Sequence, residues 1–284
     1  MTDISLKRHQ AEENDMSQYM LCMVLCLAVS AFAVCLFASA RDRNPPATVK
    51  TAEGEGYKPK LITVPTKPDP VKIDLNRTGL VVVDMQNAFC SKGGMFDLLG
   101  ILNEATVRQV IAVNKKILDA ARAARMIIIY LRMGWSAPDF ANAGGIDSPN
   151  MWKNSGRGLI PQFPQWKEKL LVTDTWGWQI VEELKPQLGD ILVNKNRYSG
   201  FVNTDLDAVL RTHNIKYLFV TGVATNVCVE STIRDAFSHE YWPILIKDAC
   251  ASDPMPATQA ATVHNVTYYF GWVATADDFL KVVR

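Results

Sequence analysis

The sequence lacks most of what a metal centre or a disulfide framework needs. Its four histidines (His9, His213, His239 and His264) make no H-x-H or H-E-x-x-H spacing, so a histidine-based metal site is not expected. Its six cysteines form no C-x-x-C pair. Three of them, Cys22, Cys26 and Cys35, lie in one apolar stretch, leaving Cys90, Cys228 and Cys250 for the globular part. Three scattered thiols do not staple a domain. Excess charge is also missing. The formal net charge is +1, without the dense basic patch that nucleic-acid binding requires. There is no internal repeat and no long low-complexity tract.

What is present begins with an apolar run. Residues 20–40, MLCMVLCLAVSAFAVCLFASA, contain no charge. As a helix they would span roughly 30 Å, a bilayer core, and no face is polar. The expectation is a single membrane-spanning helix that anchors the protein. A cleaved signal peptide is the rival reading, because Ala38-Ser39-Ala40 resembles a cleavage site. However, the run is long for a signal core and a polar segment, 1–19, precedes it. Lys7 and Arg8 lie before the run, and Arg41, Arg43 and Lys50 after it. By one charge the positive-inside rule places the C-terminal domain in the cytosol.

Residues 41–70 hold six of the fourteen prolines. Proline fixes φ and removes a donor, so residues 41–63 read as a tether, with a domain over 64–284.

Within that domain the hydrophobic runs do not alternate. TGLVVVDM (78–85), MIIIYLRM (126–133), GDILVNK (189–195), KYLFVTG (216–222) and WPILIKD (242–248) suit strands buried on both faces. A last strand is expected near 268–273. Between them, 104–124, 179–184, 204–213, 226–239, 256–266 and 276–283 read as helices. The fold class that follows is α/β, in three αβα layers around a mainly parallel sheet of about six strands.

In such sheets ligands sit beyond the carboxyl ends of the strands. Asp84 ends the first run, Lys195 ends the third, and Cys228 follows the fourth across a short turn. The three could therefore meet. Cys228 would be a nucleophile, Asp84 its general base and Lys195 a nearby cation. Lys195 and a helix N-terminus would favour the thiolate, and the turn GVAT could offer backbone N–H groups to an oxyanion. The bland alternative is that Cys228 is a small buried hydrophobe, Asp84 a cap and Lys195 a solvated side chain.

Three segments, VVVDMQNAF (81–89), NKNRYSGF (194–201) and TGVATNVCVESTIRDAF (221–237), resemble the motifs of the isochorismatase-like cysteine hydrolases. Within that family the likeness is strongest to the ureidoacrylate amidohydrolases, and it runs from about residue 64 to the C-terminus. The resemblance implies the same triad: Asp84 as base, Lys195 as orienting cation and Cys228 as nucleophile. It further implies a cis peptide at Val223-Ala224, an oxyanion hole from the amides of Ala224 and Cys228, and substrate contacts from Trp135, Asn154 and Tyr198. Trp176 is a further candidate for the pocket wall. No cofactor and no metal are implied, and relatives are usually homo-oligomers.

Two positions depart from the subgroup. Met133-Gly134-Trp135 stands where relatives resemble Asn-Gly-Trp, and Asn142-Ala143-Gly144-Gly145 where they resemble Glu-Ala-Gly-Gly. RMGW lacks the D-x-H metal motif of nicotinamidase relatives, and true isochorismatases lack the cysteine. The expected activity is hydrolysis of a small ureido or carbamoyl compound through a thioester. Biuret or another N-carbamoyl amide is the alternative substrate, and a non-catalytic, membrane-tethered interaction module is the alternative function.

Overall fold

The computed structural model describes residues 57–136, 141–144, 148–153, 163–251 and 255–283. The apolar run 20–40, and the membrane anchor expected there, lie outside the described residues. Among the described residues no helix is long and apolar enough to cross a membrane.

The chain enters through a small antiparallel hairpin, β1 (Leu61–Val64) and β2 (Val71–Asp74). The tether expected over 41–63 thus ends early, because LITV alternates and pairs with VKID across a turn containing the cis Lys67-Pro68 bond. The main sheet follows: β3 (Thr78–Val83), β4 (Ile127–Met133), β5 (Ile191–Lys195), β6 (Tyr217–Val223), β7 (Trp242–Ala251) and β8 (Trp272–Ala274). Its order is β5-β4-β3-β6-β7-β8 and every pairing is parallel.

The helices are α1 (Asn87–Cys90), α2 (Met95–Leu98), α3 (Glu104–Ala123), α4 (Pro149–Lys153), α5 (Leu206–Thr212), α6 (Glu230–Ser238), α7 (Pro256–Asn265) and α8 (Ala276–Val282). In α3, Val107, Val110, Asn114, Ile117, Leu118 and Ala121 make the buried stripe, and the Asn103 side chain caps the start by accepting from Thr106 N–H.

The two faces of the sheet bury different sets. Leu80, Val82, Ile128, Tyr130 and Phe219 pack with α3 and α8, whereas Val81, Val83, Ile129, Leu131 and Val220 pack with α5 and α6. Both-face burial explains the unbroken apolar runs, and the three expected layers are present.

Three local expectations fail. The strand expected near 268–273 is confined to β8, because Val266–Phe270 makes a π-helical turn. Of the helix expected over 179–184 only a 3-10 turn, Glu182–Leu184, forms, since Gln179 and Ile180 are drawn into pairing with Asn87 and Gln86. The helix expected over 226–239 begins instead as a π-helical turn, Thr225–Val229, before α6.

Chain order reverses at β3. β4 pairs on one side of it and β6 on the other. The crevice of an open α/β sheet lies at such a switch point, outside the carboxyl ends of the strands. Asp84 leaves β3 there, and the turn bearing Cys228 leaves β6 there.

Candidate active site

Asp84 steps out of β3 with φ 51°, a left-handed conformation that aspartate tolerates better than most residues. Its N–H still donates to Leu131 O, at 3.0 Å. The carboxylate is fixed on both oxygens. Met133 N–H donates to Oδ1 at 3.0 Å, and Lys195 Nζ stands 2.7 Å from Oδ2, with both side chains fully buried. Lys195 Nζ also donates to Arg197 O at 3.2 Å and contacts Met133 Sδ at 3.6 Å. The Cys228 thiol lies close enough to both charged groups for each to act on its proton.

One glycine holds β6 against β3. Gly222 has φ 115°, and a Cβ there would lie 2.0 Å from Val83 O. Only glycine permits both the conformation and the approach. The next peptide, Val223-Ala224, is cis. The chain then makes the π-helical turn in which Cys228 lies almost completely buried.

Burial dominates the electrostatics. It pushes the Asp84 carboxyl above its ordinary range, while Lys195 and the hydrogen bonds from Cys228 and Met133 hold it back in part. Burial works against the Lys195 ammonium, but Asp84 and Cys228 overcome it and raise its pKa. The Cys228 thiol is pushed up by burial; Lys195 opposes and Asp84 adds to the rise. The sulfur therefore rests as a thiol beside an ion pair. Of the two features expected to favour a thiolate, Lys195 is paired with Asp84 and a π-helical turn stands in place of the helix N-terminus. The arrangement is a buried carboxylate–ammonium pair beside a buried thiol.

A cavity of about 220 Å³ opens onto the sulfur, the volume of roughly seven waters. Ala224, Cys228 and Tyr198 lie in its wall, along with Met133 and a set of apolar side chains. Of the other expected contacts, Trp135 is buried but is not in this wall, and its indole N–H has no acceptor among the described residues. Trp176 is not in the wall either. It is partly exposed, with Lys169 Nζ 4.8 Å from its ring centroid. Asn154 lies outside the described residues.

Three residues at the site were not singled out from the sequence. Gln86 is fully buried. Its Oε1 accepts from Met133 N–H and its Nε2 donates to Met133 O and Trp178 O, each at 2.8 Å. It thus holds the same backbone segment that Asp84 grips. Thr232 Oγ1 donates to Cys228 O at 2.7 Å and accepts from Gly200 N–H at 3.0 Å, tying the Tyr198 loop to the cysteine turn. Gln86 was visible in DMQ and Thr232 in CVEST, but neither partner is close in sequence. The third, Lys153, lies in the cavity wall.

The family model for the isochorismatase domain matches residues 78–278. The chain belongs to the isochorismatase family. All three candidate catalytic residues of this isochorismatase-family chain fall within the matched span. A ureidoacrylate amidohydrolase, RutB of Rhizobium rhizogenes, is 47% identical over 222 residues, covering 78% of this chain and 89% of the relative. RutB of Agrobacterium fabrum is 46% identical over 222 residues, covering 78% of this chain and 96% of its own length. Among solved structures, a cysteine hydrolase from Pseudomonas syringae pv. phaseolicola is 32% identical, with a TM-score of 0.59 over 74% of this chain and 93% of that one. Isochorismatase-family membership and the three-layer fold thus agree.

Proposed function

We propose that the protein is a cysteine-dependent amidohydrolase that cleaves a C–N bond of a small ureido compound of the ureidoacrylate type. The observation that carries this reading is the buried Asp84–Lys195 pair acting on the Cys228 thiol in the cavity wall. The ureidoacrylate amidohydrolases that it resembles at 46–47% identity support the substrate class.

In the resting state the proton is on sulfur. When a ureido carbonyl enters, Asp84 takes that proton as sulfur attacks the carbamoyl carbon. The C–S bond forms and the carbonyl π pair moves onto oxygen, where the backbone N–H groups of Ala224 and Cys228 would receive it. Lys195 keeps Asp84 anionic until the transfer and stabilises the developing thiolate. Asp84 then returns the proton to the departing nitrogen as the C–N bond breaks. A water, deprotonated by Asp84, cleaves the carbamoyl thioester and restores the thiol. With ureidoacrylate the products would be aminoacrylate and carbamate, which decomposes to carbon dioxide and ammonia.

The test is kcat/KM across ureidoacrylate, biuret, N-carbamoyl amino acids and nicotinamide, for the wild type and for Cys228→Ala. Ureidoacrylate should lead the panel and Cys228→Ala should abolish turnover while keeping the fold. A variant that retains wild-type turnover overturns the cysteine mechanism, whereas an inactive wild type whose Cys228 resists a mild alkylator overturns the reading in favour of a binding module.

Residues 20–40 would tether this hydrolase to a membrane as a single pass, with the catalytic domain in the cytosol. Fractionation of cells expressing the full chain checks it: activity should pellet with membranes and resist high salt. Assembly into a homo-oligomer belongs to the same reading and is checked by the mass of the detergent-extracted protein.

A further inference from the structure

The cavity wall that adjoins Cys228 is apolar over most of its extent, with Phe89, Phe96, Leu99, Ile101, Leu171 and Val227 among its residues. Lys153 is the one charged side chain in that wall among the described residues. It makes no hydrogen bond or ion pair among the described residues, so its charge serves no visible structural partner. It ends α4, a helix of only five residues, too short for an appreciable macrodipole to account for a cation there.

Its position is nevertheless built. Asn150, three residues earlier, donates from Nδ2 to Ala143 O at 3.0 Å and to Asn196 O at 3.1 Å. Ser148 Oγ accepts from Asn150 N–H and donates to Ala143 O. Asn196 directly follows Lys195. The segment that supplies the catalytic cation therefore also anchors the helix that carries Lys153 to the cavity.

We propose that Lys153 is a specificity-determining residue: its ammonium pairs with a carboxylate on the substrate and so selects ureido acids over neutral ureas and amides. This rests on the amidohydrolase reading and deepens it. Among the described residues the wall offers a carboxylate no other counter-charge, since the Lys195 ammonium is fully buried and engaged with Asp84. A carboxylate that enters must either keep its water or meet Lys153. Lys153 is itself exposed, so the preference should be about tenfold, the low end for hydrogen bonds between charged groups.

The experiment separates recognition from chemistry. In full-length Cys228→Ala protein, 3-ureidopropionate and its primary amide are titrated by calorimetry. The acid should bind about tenfold tighter, and adding Lys153→Met should bring the acid-to-amide ratio close to one. Lys153→Glu should invert it. Lys153 is exposed, so unchanged thermal unfolding certifies that these variants are folded. Equal binding of acid and amide, a preference that survives Lys153→Met, or binding of neither ligand overturns the proposal. The amidohydrolase reading is judged separately, by turnover of the wild type. A Lys153-dependent preference in a chain that hydrolyses nothing would sink that reading and leave the recognition site standing.

Discussion

The Asp84 carboxylate and the Lys195 ammonium meet at 2.7 Å although β4 lies between the strands that carry them. The span is bridged because Asp84 turns out of β3 at positive φ while Lys195 is the last residue of β5. Breaking a fully buried pair leaves an uncompensated charge, which costs about 3–5 kcal/mol. Lys195→Met should lose that much in urea unfolding and lose turnover. Adding Asp84→Asn should recover most of the stability and none of the activity. A single variant as stable as wild type would mean that the pair is not ionised.

The acid limb of activity should report Asp84. Burial holds its carboxyl above the ordinary aspartate value of 3.8. The base must be ionised to take the thiol proton, so kcat/KM should fall as pH drops through a midpoint above 3.8. Lys195 pulls that midpoint down, so any residual activity of Lys195→Gln should show the limb displaced to higher pH. A pH–rate profile of both proteins checks the order.

Gly222→Ala tests how β6 is held against β3. The new Cβ would meet Val83 O at 2.0 Å, and the φ of 115° is strained for any side chain. The sum should be about 3 kcal/mol or more, with turnover lost because the Cys228 turn moves relative to Asp84. Gly189→Ala is the control: φ is 99° but nothing lies within 4 Å of the added Cβ. It should cost about 1 kcal/mol and leave turnover intact.

Thr232→Val removes the hydroxyl between Gly200 N–H and Cys228 O. A buried donor left alone costs about 1–3 kcal/mol. The reacting sulfur should lose alignment more than the cavity loses substrate, so kcat should fall with KM little changed. Thr232→Ser, which keeps the hydroxyl, should restore most of kcat.

The strands were legible because burial on both faces leaves runs such as LVVV in β3 without polar interruption. Once parallel strands are inferred, the carboxyl-end rule places Asp84, Lys195 and the Cys228 turn at one edge. What stayed hidden is non-local. Leu61–Thr63 reads as linker until VKID is seen to pair with LITV. The sulfur's protonation could not be read from residue types either. Lys195 and Asp84 press on it in opposite directions, and burial, a property of the packed core, decides between them. Lys153 was illegible for a like reason: it reaches the cavity wall on a helix held by Asn150 to Asn196, 46 residues away in sequence. Trp176 shows the converse. A tryptophan in a plausible position was drawn instead to the surface beside Lys169.

Alkaline stability should expose the buried thiols. Burial pushes Cys90, Cys228 and Cys250 above the ordinary thiol value of 9.0. Below that value the native and unfolded chains both hold these protons, so stability does not depend on them. Above it the unfolded chain releases protons that the native chain keeps, and stability falls as pH rises. The slope is about 1.4 kcal/mol per pH unit for each thiol. Urea unfolding between pH 8 and 10 would measure it, before Tyr130, pushed up to about 12 chiefly by burial, adds a drop of the same sign. In Cys90→Ala/Cys250→Ala the slope should shrink to the share of Cys228 alone. An unchanged slope would mean that Cys90 and Cys250 ionise in the native protein as readily as in the unfolded chain, and a slope that vanished in the double variant would mean the same of Cys228.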